Sequence, residues 1–330
     1  MTSTLLDRFG RRHNNLRISV TDRCNIRCFY CMPNEDVQFK PREEILTFEE
    51  IERVVRVAAG LGVDRVRITG GEPLVRSGID RLVAQLSVIP GIRDLAMTTN
   101  GLLLEQYARP LRDAGLQRLN ISLDGLSEET FERIARRQGL SKVLAGIAAA
   151  QDVGFEKIRL NAVAIKGITE AEVLPLASFA REHDLELRFI EFMPLDAEGN
   201  WQSDEVLHGA RIREMLEAEF GLLSPAERKD DSQPATDYQY VDGGLVGFIN
   251  PVTQPFCESC NRLRITAEGQ VRNCLFSTEE WDARRLLRND AGDDELAALI
   301  RDCVGQKRAG HGINDDDFQR PDRAMYQIGG

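Results

Sequence analysis

Between residue 15 and about residue 192 the sequence alternates between short apolar segments, spaced as in β-strands, and longer segments spaced as in α-helices. Six such strand–helix units follow one another. Consecutive βα units predict a parallel sheet with right-handed crossovers. The periodicity fits an open doubly wound sheet and a barrel equally well. Glycine and polar residues follow the ends of several strands, and in a barrel that face carries the active site.

The pattern changes after Met193 and Pro194. We predict a helix over 210–220, a polar loop over 224–237, short strands at 238–241 and 245–249, and helices near 281–287 and 295–304. The tail, 305–330, has no periodicity. The sequence therefore predicts two regions, 1–194 and 195–330.

Composition limits the classes of function. The 330 residues are 42% hydrophobic and 29% charged, as in globular proteins, and the net charge of −11 disfavours a nucleic-acid surface. No apolar run is long enough to cross a bilayer, and residues 1–12 lack the apolar core of a signal peptide. We expect a cytoplasmic protein with neither nucleic acid nor membrane as a partner.

The first cysteine triplet is Cys24, Cys28 and Cys31, spaced C-x3-C-x2-C. Soft thiolate ligands suit iron–sulfur clusters and zinc. A cubane cluster has about four irons, so three thiolates would leave one iron open to a ligand that is not protein. The alternatives are a structural zinc site without its fourth ligand and a chance group of buried cysteines.

A second triplet, Cys257, Cys260 and Cys274, has the spacing C-x2-C-x13-C. On spacing alone zinc and a cluster are about equally expected. None of the histidines is close to it in sequence; they are His13, His183, His208 and His311. A second cluster with a second open iron is therefore the more coherent interpretation. The seventh cysteine, Cys303, lies in an apolar helical pattern and is predicted to be a core residue.

These motifs resemble a known family. The first triplet, with Tyr30 directly before its third cysteine, resembles the radical S-adenosylmethionine (SAM) superfamily. The later C-x2-C-N-R-L-R segment with its third cysteine, and the terminal Gly329-Gly330, resemble the GTP 3′,8-cyclase family within it. The resemblance covers essentially the whole chain. It selects an α/β fold, an incomplete (βα)6 TIM-type barrel with a C-terminal α+β extension that closes its open side.

The resemblance implies two [4Fe–4S] clusters, held by the two triplets, and SAM as cofactor. It implies a lyase in which a 5′-deoxyadenosyl radical removes the C3′ hydrogen of GTP and the C3′ radical attacks C8 of guanine. The implied partners are GTP, an electron donor of the flavodoxin or ferredoxin type, and the downstream cyclic pyranopterin monophosphate synthase. The chain would be a monomer or a homodimer.

Site residues follow from the same resemblance. For SAM these are Tyr30, Gly71 in Gly70-Gly71-Glu72-Pro73, Ser122 and Met193. For GTP they are Arg17, Arg67, Thr98, Arg159, Arg262 and Arg264. Direct catalytic roles are implied for Arg17, Arg262, Arg264, Gly329 and Gly330.

The chemistry of phosphate supports the arginines, because a planar guanidinium forks onto phosphate oxygens. Arg17 and Arg67 also lie in apolar strand patterns, whereas most surface arginines are simply solvated. One position departs from the family, which usually has a lysine where this chain has Arg159.

Two other functions remain open. Another two-cluster radical SAM enzyme, such as a peptide-modifying maturase, would share the first triplet but would need no arginine set for a triphosphate. A zinc-stabilised binding protein without catalysis would use the cysteines for structure alone.

Overall fold

A computed structural model of the chain describes residues 4–34, 36–195, 199–227 and 230–329. The strands are β1 (Asn15–Ser19), β2 (Arg65–Thr69), β3 (Asp94–Thr99), β4 (Arg118–Ser122), β5 (Ile158–Ala164), β6 (Glu186–Glu191), β7 (Ser224–Pro225), β8 (Thr236–Gln239), β9 (Leu245–Ile249), β10 (Arg262–Ile265), β11 (Gln270–Arg272) and β12 (Trp281–Asp282). The helices are α1 (Phe48–Gly60), α2 (Ile79–Ser87), α3 (Leu104–Asp113), α4 (Glu128–Ala135), α5 (Leu140–Asp152), α6 (Val173–Glu182), α7 (Gly209–Phe220), α8 (Ala283–Arg288), α9 (Asp293–Gly305) and α10 (Met325–Ile328).

The first six strands form the centre of one sheet. Strands β1 to β6 pair in chain order and in parallel, with helices between them, which confirms the predicted βα units. The local signals explain the boundaries. Helix α1 begins after a reciprocal cap, in which Thr47 accepts from the amide of Glu50 and Glu50 accepts from the amide of Thr47. Its apolar face then packs into the core against the sheet.

The late part of the chain supplies both flanks of that sheet. Strand β10 pairs in parallel with β1, and β9 pairs in parallel with β6. Antiparallel strands continue outward, β11 and β12 beyond β10, and β8 and β7 beyond β9. The sheet is a partial barrel that does not close, because β7 and β12 remain its two outer strands. The predicted incomplete barrel of six βα units is confirmed, and the C-terminal α+β extension adds strands to both of its edges without closing the sheet.

Some boundaries differ from the sequence-based ones. The predicted loop 224–237 contains β7 and the start of β8, and the predicted helix near 281 begins at Ala283 because Trp281–Asp282 pair with β11. These segments become strands because they pair with other strands of the sheet. The polarity of their own residues does not indicate that pairing.

The tail was predicted without periodicity, yet it carries the short helix α10. Ile328 of this helix is buried in a small apolar cluster with Leu195 and Phe276. The tail is therefore anchored at one end of the barrel. Within the described ranges, no helix has both the length and the apolar character required to cross a bilayer.

Candidate active site

Both cysteine triplets line one cavity of about 1070 Å³. Its wall also contains the other predicted side chains and Gly71, namely Arg17, Tyr30, Arg67, Thr98, Ser122, Arg159, Met193, Arg262 and Arg264. Gly329 lies beside this wall, where its carbonyl oxygen accepts a hydrogen bond from Arg264. Gly330 is outside the described residues. Segments that are far apart in sequence therefore share one cavity.

The first triplet occupies the loop that follows β1. Cys24 Sγ accepts a contact of 3.7 Å from the amide group of Asn100, which also donates to Asn25 Oδ1 at 2.7 Å. Burial raises the pKa of the Cys24 thiol to about 11 and that of Cys31 to about 12. Thiols in such a place ionise only beside a compensating cation. Iron supplies that charge, so this donor set fits a metal cluster.

Two positively charged side chains lie beside the second triplet. Cys260 Sγ accepts from Arg262 Nε at 3.4 Å and from Lys307 Nζ at 3.4 Å. Burial alone would raise the pKa of Cys260, but Arg262 and Lys307 outweigh it and lower the pKa to about 5. Cys260 is therefore held as a thiolate, the form that binds metal.

A single zinc ion and a cubane cluster require different arrangements of their donors. No group of three or more His, Cys, Asp or Glu side chains in the described parts of the chain converges as a site for a single ion. Zinc needs every donor within about 2.0–2.3 Å of one point, whereas the ligands of a cubane bind different irons. All seven cysteines are free, so both triplets remain available as ligands.

One histidine that is distant in sequence lies near the second triplet in the fold. His311 lines the same cavity, and its ring lies 5.1 Å from that of Phe276. Its Nδ1 accepts from the amide of Ile313 at 3.1 Å. The chain folds His311 back beside Cys257, which lies about fifty residues earlier, and sequence spacing carries no trace of this.

The predicted SAM wall is built on close backbone contacts. A Cβ atom on Gly71 would lie 2.4 Å from the carbonyl oxygen of Arg23, so only glycine fits there. The neighbouring Glu72 is buried and accepts from the amide of Asn100 at 2.7 Å and from Thr99 Oγ1 at 2.8 Å. Burial raises the pKa of Glu72 to about 7. A carboxylate on the verge of ionisation thus faces the cavity.

Tyr30 is fixed by a residue that the sequence did not single out. Its hydroxyl donates to Asp124 Oδ2 at 2.7 Å, and Asp124 Oδ1 accepts from the amide of Val163 at 2.7 Å. Burial raises the pKa of Asp124 to about 6. These contacts join the first cysteine loop to β5 and hold one wall of the cavity in place.

Three arginines form a row across neighbouring strands. Arg264 on β10 lies opposite Arg17 on β1, and Arg17 lies opposite Arg67 on β2. Parallel neighbours are about 4.8 Å apart, so in this register the three side chains leave the same face of the sheet. We call these three residues the arginine row. Burial is the main cause that lowers their pKa values, to about 9 for Arg264, and neighbouring guanidinium groups lower them further.

The arginine row lacks anionic partners. The Nε atoms of Arg17 and Arg67 are buried without a hydrogen-bond partner, and no ion pair joins the row to a carboxylate, as far as the structure describes the chain. By contrast, other cations of the cavity are paired: Arg159 with Glu186, Arg118 with Asp94, Arg65 with Asp230, and Arg188 with Asp237. The predicted Arg159 therefore lies in the cavity with its charge already engaged. The row is built to receive an anion.

The tail reaches the end of the arginine row. Gly329 has a φ of +81°, and its carbonyl oxygen accepts from Arg264 Nη1 at 2.5 Å. A Cβ atom here would lie 2.8 Å from Thr69 Oγ1 and 3.0 Å from Ser19 Cβ. Both the backbone conformation and the space therefore require glycine.

Comparison with known proteins identifies the family of the chain. The radical SAM superfamily matches residues 18–180, and the family described as Molybdenum Cofactor Synthesis C matches residues 185–313. A protein named GTP 3′,8-cyclase from Rhodopirellula baltica is 53% identical over 334 residues, which cover 99% of this chain and 92% of that protein. A protein of the same name from Streptomyces coelicolor is 44% identical over 329 residues, which cover 99% and 96%.

Solved structures share the fold. SuiB from Streptococcus suis, bound to S-adenosylmethionine, superimposes with a TM-score of 0.63 at 17% identity, over 94% of this chain and 76% of that one. The protein anSMEcpe with bound AdoMet gives a TM-score of 0.59 at 15% identity, over 94% and 90%. At such low identity the likeness concerns architecture alone.

Proposed function

The chain belongs to the GTP 3′,8-cyclase family of radical SAM enzymes, and from that premise we propose which of its residues carry each part of the reaction. The reaction converts GTP to (8S)-3′,8-cyclo-7,8-dihydroguanosine 5′-triphosphate and opens molybdenum cofactor biosynthesis. One observation carries the assignment of residues. Two cysteine triplets and an arginine row without anionic partners line the same cavity, so SAM at the first triplet and GTP at the row and the second triplet would share one space.

Cys24, Cys28 and Cys31 would hold the first [4Fe–4S] cluster, and Gly71 with Glu72 would receive the amino group of SAM. The bound cluster and SAM together supply the radical that removes hydrogen from C3′ of the ribose. The chain itself supplies orientation. Tyr30, fixed by Asp124, and Ser122 and Met193 would shape the wall around SAM and orient it toward the ribose.

The arginine row would hold the triphosphate of GTP, which brings about four negative charges, with Thr98 beside it. Arg262 and the second triplet, Cys257, Cys260 and Cys274, would lie at the guanine end, where the three thiolates would hold a second cluster. Arg264 would link the two ends, because it belongs to the row and lies on the same strand as Arg262. The substrate is thus held at both ends while C3′ approaches C8.

The two predicted regions would divide this work. Residues 1–194 would carry the first cluster and SAM, and residues 195–330 would carry the second cluster, part of the GTP site and the Gly-Gly tail. Arg159 would support the row only indirectly, because Glu186 holds its guanidinium.

We extend the proposal to the cellular setting. A low-potential protein of the flavodoxin or ferredoxin type would reduce the first cluster, and cyclic pyranopterin monophosphate synthase would take the product. Seven free cysteines suit the reducing cytoplasm. A monomer or a homodimer would serve equally, since each chain carries the complete cavity.

The assignment is tested by the nucleotide that the protein makes. The chain is reconstituted with iron and sulfide without oxygen, reduced with dithionite, and incubated with SAM and GTP. We expect a nucleotide with the mass of GTP but a different fragmentation pattern, since the product is an isomer of GTP. SAM cleavage should depend on GTP and not on ATP or a peptide. SAM cleavage that a peptide stimulates and GTP does not would instead support the maturase.

Substitution of Gly329 by alanine is expected to lower kcat for GTP by at least about tenfold, because a Cβ atom meets Thr69 and Ser19 and the φ of +81° disfavours alanine. The tail would then leave Arg264. Steady-state kinetics with GTP measure the effect. Gly305 is the matched control, since a Cβ atom there meets nothing within 4 Å, and G305A should keep the parent rate. Equal rates for G329A and the parent chain would contradict the proposed role of the tail.

Affinity for SAM is expected to weaken by about three- to tenfold as the pH falls from about 8 to about 6. The pKa of Glu72 is about 7, so its carboxylate is ionised above that pH and protonated below it. The ionised form accepts the stronger hydrogen bond from the amino group. Equilibrium binding to the reconstituted protein measures the change. E72Q should bind SAM weakly and without this pH dependence, and a slope that persists in E72Q would exclude Glu72 as its source.

A further inference from the structure

Lys307 is a buried lysine whose ammonium group lies beside Cys260. It follows α9, and the residue as a whole is only 3% exposed. Its side chain lines a smaller cavity of about 200 Å³, whose wall also contains Cys257, Cys260 and Cys274. Lysine is almost never this buried without a specific partner.

The ammonium group uses all three of its donors. Lys307 Nζ donates to Cys260 Sγ at 3.4 Å, to the carbonyl oxygen of Arg262 at 3.0 Å and to the carbonyl oxygen of Asn273 at 2.6 Å. Asn273 directly precedes Cys274. One side chain therefore joins the segment that carries Cys260 to the segment that carries Cys274.

The charge of Lys307 also calls for a partner. A buried ammonium is costly unless a negative charge lies beside it. No carboxylate forms an ion pair with Lys307 in the part of the chain that the structure describes. Among its three hydrogen-bond partners, only the sulfur of Cys260 can carry a full negative charge.

The backbone that follows Lys307 is held in place by Arg11. Arg11 donates to the carbonyl oxygens of Arg308 at 2.6 Å and Ala309 at 2.8 Å, and also to that of Cys257 at 2.8 Å. Asp7 holds Arg11 in turn, with 2.6 Å between Asp7 Oδ2 and Arg11 Nε. Because both the side chain and the following backbone are held, Lys307 cannot turn away from the triplet without breaking this network.

We propose that Lys307 is a positioning residue of the second cluster, which fixes Cys260 relative to Cys274 and raises the reduction potential of that cluster. Reduction adds an electron, and a fixed cation hydrogen-bonded to a ligand sulfur stabilises the added charge. The inference rests on the proposed function, because it requires a cluster at the second triplet.

The test compares K307M, K307Q and K307R in the full chain after reconstitution. Methionine removes both donor and charge, glutamine keeps a donor, and arginine keeps both. Iron and sulfide are counted, and both clusters are titrated by electron paramagnetic resonance, the first being identified by its response to SAM. We expect a more negative potential for the second cluster in K307M, a smaller shift in K307Q and nearly none in K307R. The potential of the first cluster should stay unchanged.

R308M is the matched control, since it removes one positive charge from the neighbouring exposed side chain and leaves the backbone contact of Arg11 in place. The proposal is supported if both clusters have the same reduction potentials in R308M as in the parent chain. A parent potential in K307M with two full clusters would overturn it, as would an equal shift in R308M. If K307M fails to fold, the second cluster must still have a more negative reduction potential in K307Q than in K307R. A parent chain with a single cluster would instead refute the proposed function itself.

Discussion

Substitution of Cys274 by alanine is expected to abolish the conversion of GTP and to lower the iron content from about eight to about four atoms per chain. Cys274 is the only ligand of the second triplet outside the C-x2-C pair, so two thiolates on one short turn would remain. They are too few to hold a cubane firmly. The first triplet is untouched, and binding of SAM should therefore persist.

Iron and sulfide analysis, SAM binding and nucleotide mass spectrometry measure the three parts of this prediction. Cys303 provides the control, because it is a buried free cysteine that lies outside the walls of both cavities described above. C303A should keep both clusters and full turnover. Two intact clusters in C274A would show that another residue holds the second site.

Substitution of Arg17 by methionine is expected to weaken GTP binding by about 100-fold, since a hydrogen bond to a charged group is worth about 1.5–3 kcal/mol and this residue is the middle of the row. The same change should stabilise the protein without ligands. Burial and the neighbouring Arg264 and Arg262 lower the pKa of Arg17, so its charge costs free energy until an anion arrives. Methionine keeps the apolar stem and removes that cost.

Equilibrium binding of GTP measures the change in affinity, and thermal unfolding of the ligand-free chain measures the change in stability. The midpoint of thermal unfolding should rise by about 2–4 °C in R17M. R93M is the matched control. Arg93 lines the same cavity, but its side chain is 75% exposed and pairs with Asp64. R93M should therefore change GTP affinity little. A lower midpoint together with unchanged affinity in R17M would assign Arg17 a structural role instead.

Local patterns allowed much of this fold to be predicted from sequence. The βα units were correct because strand and helix periodicities repeat within a few residues, and Thr47 with Glu50 marks the start of α1 within one turn. The cysteine triplets and the glycines before Glu72 are short motifs of the same kind. Each of these motifs can be recognised from residues that are close together in the sequence.

Long-range pairing was not predictable in this way. The neighbours Arg17 and Arg264 are separated by most of the chain, and nothing near either residue announces the other. The ion pair between Arg159 and Glu186 could not be predicted from the sequence either. It matters because it separates Arg159 from the arginines that have no anionic partner. Lys307 lies in a polar tail, and its ammonium group is held by contacts with two distant segments.

The attachment of β10 beside β1 sets an order on biosynthesis. While the ribosome is still adding the last third of the chain, the flank of the sheet next to β1 is bare and Arg17 has no neighbour on that side. The cavity that both cysteine triplets line can therefore form only after translation has passed residue 265. The second triplet is complete later still, once Cys274 has left the exit tunnel.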